Sequence, residues 1–213
     1  MSPVAIFTDS ASDMDPAVAA AEGITIVPLL VTFGERSFKA GVDLSTADFW
    51  ERMVAPDAPF PTTAASSPGE FKDAYEAAFA GGADAIVSVH VAGELSGTIK
   101  SAQIARDMLP DREIHVVDSL GASMAEGILA RLGVELAADG RSAVDIAAAL
   151  EARSTAMRIY VPLEPLASLR KGGRTHGTHS SLRPPLSVPP HLRLGERGVN
   201  PVVRCRARPT ATA

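Results

Sequence analysis

The run Ala85-Ile-Val-Ser-Val89, followed by His90-Val-Ala-Gly-Glu-Leu-Ser-Gly-Thr98, limits the possible folds more than any other part of this chain. Five residues of that apolarity read as a buried strand, and Ala102, Ala105, Met108 and Leu109 then fall at helical spacing over Thr98–Leu109. A buried strand that hands over directly to a helix is half of a parallel crossover, which needs a sheet covered on both faces. The junction offers unpaired backbone N–H groups and the positive end of the helix dipole. It also carries the hydroxyls of Ser96 and Thr98 beside Gly97, where a ligand can approach closely. It is a place to hold an anion, although Ser96 also fits the simpler role of helix N-cap.

The same arrangement recurs along the chain. Val4-Ala-Ile-Phe7 is a short buried strand ending in Thr8-Asp9-Ser10, and Glu113-Ile-His-Val-Val117 is another, ending in Asp118-Ser119. Open α/β sheets bind ligands at the carboxyl ends of their strands, so Asp9, Ser10 and Ser119 join Ser96, Gly97 and Thr98 as candidate ligand contacts. Between these strands, Asp15–Glu22 reads as a helix and Ile24–Val31 as a strand whose Pro28 marks an edge or a bulge. Leu44–Met53 reads as a helix capped by Ser45 or Thr46, with Phe49, Trp50 and Met53 as a core-facing stripe. In the hydroxyl-rich loop Pro61–Pro68, Ser67 and Glu70 fit a capping box for a helix that buries Phe71, Tyr75 and Ala78. Thr62 and Thr63 lie upstream of any cap and are candidates to meet Ser96 on one anionic group. Helices over Gly121–Leu136 and Ser142–Ala152 complete an α/β pattern, a parallel sheet flanked by helices, over residues 1–155. Arg158–Val161 begins something new, and Pro184, Pro185, Pro189 and Pro190 preclude a regular helix in the partial second domain, residues 156–213.

Charge and composition narrow the functional classes. Residues 1–169 hold 11 Lys or Arg against 24 acids, whereas residues 170–213 hold nine against Glu196 alone, so net −13 is followed by net +8. A basic, Pro-rich tail invites a nucleic-acid reading, but no aromatic residue for base stacking follows Tyr160. A docking face for an acidic protein is the better expectation. No apolar run approaches the roughly 18 residues of a membrane span, and no basic leader precedes the first apolar stretch, so a cytoplasmic location is expected. The single cysteine, Cys205, rules out an internal disulfide and a cysteine-rich metal site. His176 and His179 stand in an irregular segment without acids beside them and are not read as metal ligands. An Asp after a first strand also suits phosphoryl transfer, but the second acid such sites use two residues on is Ala11 here.

Thr8-Asp9-Ser10, Pro28-Leu29, Pro61-Thr-Thr63 with Pro68-Gly-Glu-Phe71, Leu95-Ser-Gly-Thr98, Asp118-Ser119 and Leu169-Arg-Lys-Gly-Gly-Arg174 stand in the order and spacing of the DegV family. The chain resembles that family well over residues 4–174 and less so afterwards. The resemblance implies a parallel α/β domain followed by a smaller mixed-sheet α/β domain, with a long-chain fatty acid between them that is presented to a fatty-acid kinase. It places the carboxylate on Thr63 and Ser96, with Arg174 and Arg206 on the kinase-docking face. This chain departs from the family at Thr63-Ala-Ala-Ser-Ser67, where Thr-Ser-Gln-Pro-Ser is usual, and at Ala92, where a serine is usual. Ser187–Leu194 and Val199–Val203 resemble the family's strand pair around a turn, and the chain then stops where relatives continue, so the second domain is expected to be incomplete.

The expected function is therefore that of a non-catalytic acyl carrier: fatty acid as ligand, no cofactor, no metal, and a fatty-acid kinase as partner. Two rival readings remain at this point. One is a phosphotransferase or hydrolase using Asp9, Asp118 and Ser96, and the other is a degenerate fragment that binds nothing.

Overall fold

The computed structural model describes residues 3–162, 171–172, 190–195 and 198–204. The chain divides into two compact units, residues 1–156 and 157–213. In chain order the first unit begins with β1 (Val4–Asp9), a single 3-10 turn (Ser10–Ser12), α1 (Pro16–Ala21), β2 (Ile24–Val27), β3 (Leu30–Phe33) and β4 (Arg36–Lys39). It continues with α2 (Thr46–Val54), β5 (Thr62–Ala64), α3 (Pro68–Ala80), β6 (Ala85–His90), α4 (Thr98–Asp107) and β7 (Glu113–Asp118). Two helices, α5 (Met124–Ala138) and α6 (Ala143–Ala156), close it.

The main sheet has the order β2-β1-β6-β7, and every pairing in it is parallel. Alternation along β1 sends successive side chains to opposite faces. Phe7 belongs to one buried cluster with Phe71 and Tyr75 of α3, Ala102 and Ala105 of α4, Ile86 of β6 and Ile114 of β7. Ile6 points the other way, to α5, where a side chain on Gly133 would lie 3.3 Å from Ile6 Cδ1. The expected parallel sheet covered on both faces is what the first unit contains. The helix starts follow local chemistry: Ser67 and Glu70 form the capping box of α3, and Ser45 accepts from the Asp48 N–H to cap α2. That box and Lys39, 3.0 Å away, hold the Glu70 carboxyl below its usual range.

Three expectations are corrected here. Ile24–Val31 is not one strand: it breaks at Pro28-Leu29, and β3 joins a second sheet, antiparallel, in the order β4-β3-β5. Pro28 has no N–H to continue a ladder, and side chains hold the break, since Leu29 N donates to Ser10 Oγ at 3.0 Å and Ser66 Oγ donates to the Pro28 carbonyl at 2.6 Å. Second, the loop Pro61–Pro68 contains a strand, β5, which carries Thr62 and Thr63. Third, the α2 stripe is only partly core. Phe49 packs on the small cluster of Val31, Phe33 and Leu44, but Trp50 is 57% exposed and meets Phe49 edge-on.

In the second unit, β8 (Ile159–Pro162), β9 (Pro190–Gly195) and β10 (Gly198–Arg204) form an antiparallel sheet in the order β10-β9-β8. The expected strand pair is present over the described residues, Pro190–Gly195 with Gly198–Arg204; Ser187, where the first strand was expected to begin, lies outside them. Its described strands pair antiparallel only.

Candidate ligand site at the carboxyl edge of the sheet

Because the main sheet is parallel, β1, β6 and β7 all end at one edge, at Asp9, His90 and Asp118. The loops leaving that edge are hydrogen-bonded to one another. Ser119 N donates to the His90 carbonyl at 3.0 Å, Ala92 N to Gly121 at 2.8 Å and Ser123 N to Ala11 at 2.8 Å. Asp118 accepts from Gly93 N at 3.1 Å and from Leu120 N at 2.8 Å. Leu120 and Ser123 hold positive φ angles of 51° and 59°, uncommon for side chains with a Cβ. Such backbone persists only where several bonds fix it, as they do here.

On this platform Ser96 and Thr98 stand together, their hydroxyls 2.8 Å apart, with Ser96 Oγ also accepting from Thr98 N at 3.3 Å. Ser96 is not the N-cap of α4. Gly97 holds that position without a side-chain hydrogen bond, and nothing lies within 4 Å of where its Cβ would be. Ser96 is half-buried and Gly97 exposed, whereas Thr98 is fully buried. Thr62 and Thr63 are exposed on β5, paired with Thr32 and Val31 of β3, which leaves the same sheet edge through Pro28-Leu29. Both hydroxyl groups of the expected pair, Thr63 and Ser96, thus ride on segments that depart from one edge.

The remaining candidates sit differently. Ser10 ties Leu29 to the end of β1. Asp9 and Ser119, expected to face a ligand, are buried beneath the edge. Ser119 Oγ bonds within its own turn, donating to the Gly121 carbonyl and accepting from Gly121 N, both at 3.2 Å. Asp9 Oδ1 accepts from Ala11 N at 2.8 Å, and Oδ2 from Val91 N at 3.2 Å and His90 Nδ1 at 3.0 Å. These two brace the loops from below. Arg174, Arg206, His176 and His179 lie outside the described residues.

Beneath the edge runs a chain of polar groups that the sequence reading passed over. Tyr75 OH donates to Ser88 Oγ at 2.9 Å, Ser88 Oγ lies 2.7 Å from His90 Nε2, and His90 Nδ1 meets Asp9. Glu126 Oε1 accepts from Thr8 Oγ1 at 2.7 Å and from Asp9 N at 3.3 Å. Burial, then the Asp9 charge, raise the Glu126 carboxyl well above its usual range, and burial raises the Tyr75 hydroxyl likewise. Ser88, His90 and Asp9 follow the order of a Ser-His-Asp triad. All three are fully buried, and Ser88 already accepts from Tyr75, so they set one another's orientation and offer no group to a substrate. Asp9, His90 and Glu126 each place one ligand atom within 4.8 Å of the others, the spacing a metal would need. The signals were local and faint: an acid inside the apolar segment Ala125–Ala130, and a histidine ending an apolar run.

The model of the DegV family, a family of uncharacterised proteins, matches residues 3–213. A DegV domain-containing protein of Deinococcus radiodurans is 34% identical over 210 residues, covering 99% of this chain and 74% of the relative. The solved structure of a fatty-acid-binding DegV family protein from Thermus thermophilus superposes with a TM-score of 0.86 at 31% identity, over 97% of this chain and 72% of that one. DegV of Bacillus subtilis, a fatty acid binding protein, gives the same TM-score at 29% identity, over 98% of this chain and 73% of that one. Among the described residues no helix is long and apolar enough to cross a membrane. With the family model matching nearly its whole length, this chain belongs to the DegV family.

Proposed function

We propose that this protein binds a long-chain fatty acid, with the carboxylate held by Thr63 and Ser96, and presents it to a fatty-acid kinase in the cytoplasm without catalysing a reaction itself. The observation that carries the reading is the pairing of two things: the likeness to two solved DegV proteins named for fatty acid binding, and hydroxyl groups on two segments leaving one sheet edge. Gly97 gives the carboxylate room, Thr98 orients the Ser96 hydroxyl, and Thr62 stands beside Thr63 on β5. Arg174 and Arg206 are the docking residues this reading assigns to the kinase. The rival phosphotransferase or hydrolase reading draws less support, because Asp9 and Asp118 have both carboxylate oxygens taken by protein donors. Ions of the kind such chemistry recruits need free carboxylate oxygens.

Native mass spectrometry of the purified protein is expected to show a co-purified fatty acid. Ser96→Ala and Thr63→Ala each remove a hydrogen bond to a charged carboxylate, worth about 1.5–3 kcal/mol. Each substitution should weaken binding roughly tenfold to a hundredfold and leave the folded state intact. Two variants that bind a fatty acid as tightly as the parent would overturn the assignment of the head group.

A further inference from the structure

We propose that Asp9 and Glu126 share one proton, with Glu126 as the neutral acid, and that this buried pair is a positioning device for the loops after β1 and β6 that lead to the ligand site. Both residues are fully buried. Asp9 accepts three hydrogen bonds, two of them from the backbone N–H groups of Ala11 and Val91, and so anchors both loops at once. Glu126 Oε1 has two donors, Thr8 Oγ1 and Asp9 N, but Glu126 Oε2 is buried without a partner. A hydrogen on Oε2 turns that orphan acceptor into a donor, and the Asp9 carboxylate, with a ligand atom within 4.8 Å of one of Glu126, is the acceptor near enough to take it. One proton therefore satisfies the unpaired atom and removes the repulsion between two carboxylates in a dry site.

A divalent cation would answer the same need, and the directions of the hydrogen bonds speak against it. The Asp9 carboxylate can only accept, which puts the hydrogen of a neutral His90 on Nδ1 and leaves Nε2 to accept from Ser88. His90 then carries its own hydrogen on Nδ1, aimed at Asp9, and has no lone pair left for a metal. The titratable groups facing Glu126 among the described residues are Asp9 at the end of β1 and His90 at the end of β6, with Tyr75 of α3 reached through Ser88.

The test uses ligand-free protein, so its outcome does not depend on the fatty-acid reading. The folded state holds a proton that the unfolded chain releases near pH 4.5. Stability must then fall as pH rises from there to the folded value, by up to about tenfold in the folding constant per pH unit. Glu126→Gln keeps a donor toward Asp9 and an acceptor for Thr8 but has no proton to lose. It should flatten that fall, and in the parent alone the protection of the Ala11 and Val91 backbone amides, taken relative to their intrinsic base-catalysed exchange rates, should decrease as pH rises. The infrared carbonyl band of a protonated carboxyl should be present in the parent at neutral pH and absent from Glu126→Gln. The proposal is overturned if the parent lacks that band, if Glu126→Gln keeps the parent's pH slope, or if the purified parent carries a stoichiometric divalent metal that Glu126→Gln loses. Should Glu126→Gln fail to fold, the infrared and metal measurements on the parent still decide.

Discussion

At the scale of single residues, the part of this protein that is hardest to replace is the polar chain under the sheet edge, where every member is buried and each fixes the next. Its members differ in what their loss leaves behind. Tyr75→Phe removes one hydroxyl; Ser88 still donates to His90, and the ring keeps its edge-on contact with Phe7 at 5.2 Å. Loss of one neutral hydrogen bond costs about 1 kcal/mol. His90→Ala strips a donor from the buried Asp9 carboxylate and also opens a void against Phe71, whose ring lies 5.0 Å from the imidazole. A hydrogen bond to a charged group is worth about 1.5–3 kcal/mol, and the void adds to that loss. Urea denaturation should therefore rank His90→Ala well below Tyr75→Phe in stability, and equal losses would show that Asp9 is held adequately by Val91 and Ala11 alone. None of this was legible beforehand, because Asp9 and His90 are 81 residues apart and Thr8 and Glu126 118 apart. A pattern with a period of two or four cannot report a contact of that range.

At the scale of elements, the sequence was informative wherever one apolar run met one covered face. β1, β6, β7, the cap of α3 and the helices after β7 lie within a few residues of where the pattern put them. It failed where two environments share one run: Ile24–Val31 is continuous in hydrophobicity, yet its halves serve different sheets, and only Pro28 hinted at the break. The seating of α5 is a further element-level constraint. A side chain at Gly127 would meet Met14 Cγ at 3.0 Å and the Ser12 carbonyl at 3.2 Å, beside Glu126. Replacing a helical glycine by alanine gains about 1 kcal/mol of propensity, while overpacking against backbone costs about 1–3 kcal/mol. Gly127→Ala should therefore be destabilising on balance, by a lower thermal midpoint. An increase in that midpoint would mean that Met14 gives way freely and that the contact does not set the helix position.

At the scale of the whole molecule, the two compact units carry opposite net charge. Residues 1–156 carry 10 basic and 23 acidic groups, net −13, and residues 157–213 carry 10 and two, net +8. The first unit contains its own covered sheet, with α3 and α4 on one face and α5 and α6 on the other, and its own small second sheet. A unit of that size buries roughly 70% of the surface of its unfolded chain, enough for the ordinary stability of about 5–15 kcal/mol. A fragment ending at Ala156 is therefore expected to unfold in one cooperative transition, with slowest hydrogen exchange in β1 and β6, each flanked by strands on both sides. Its excess of acids, no longer offset by the basic unit, should make the compact state self-repelling, so added salt should raise the fragment's midpoint more than that of the full chain. A broad, uncooperative transition would show that the first unit depends on the second for its fold. A cooperative transition without the extra salt response would leave the architecture standing and show that the two charged halves do not balance one another in the intact protein.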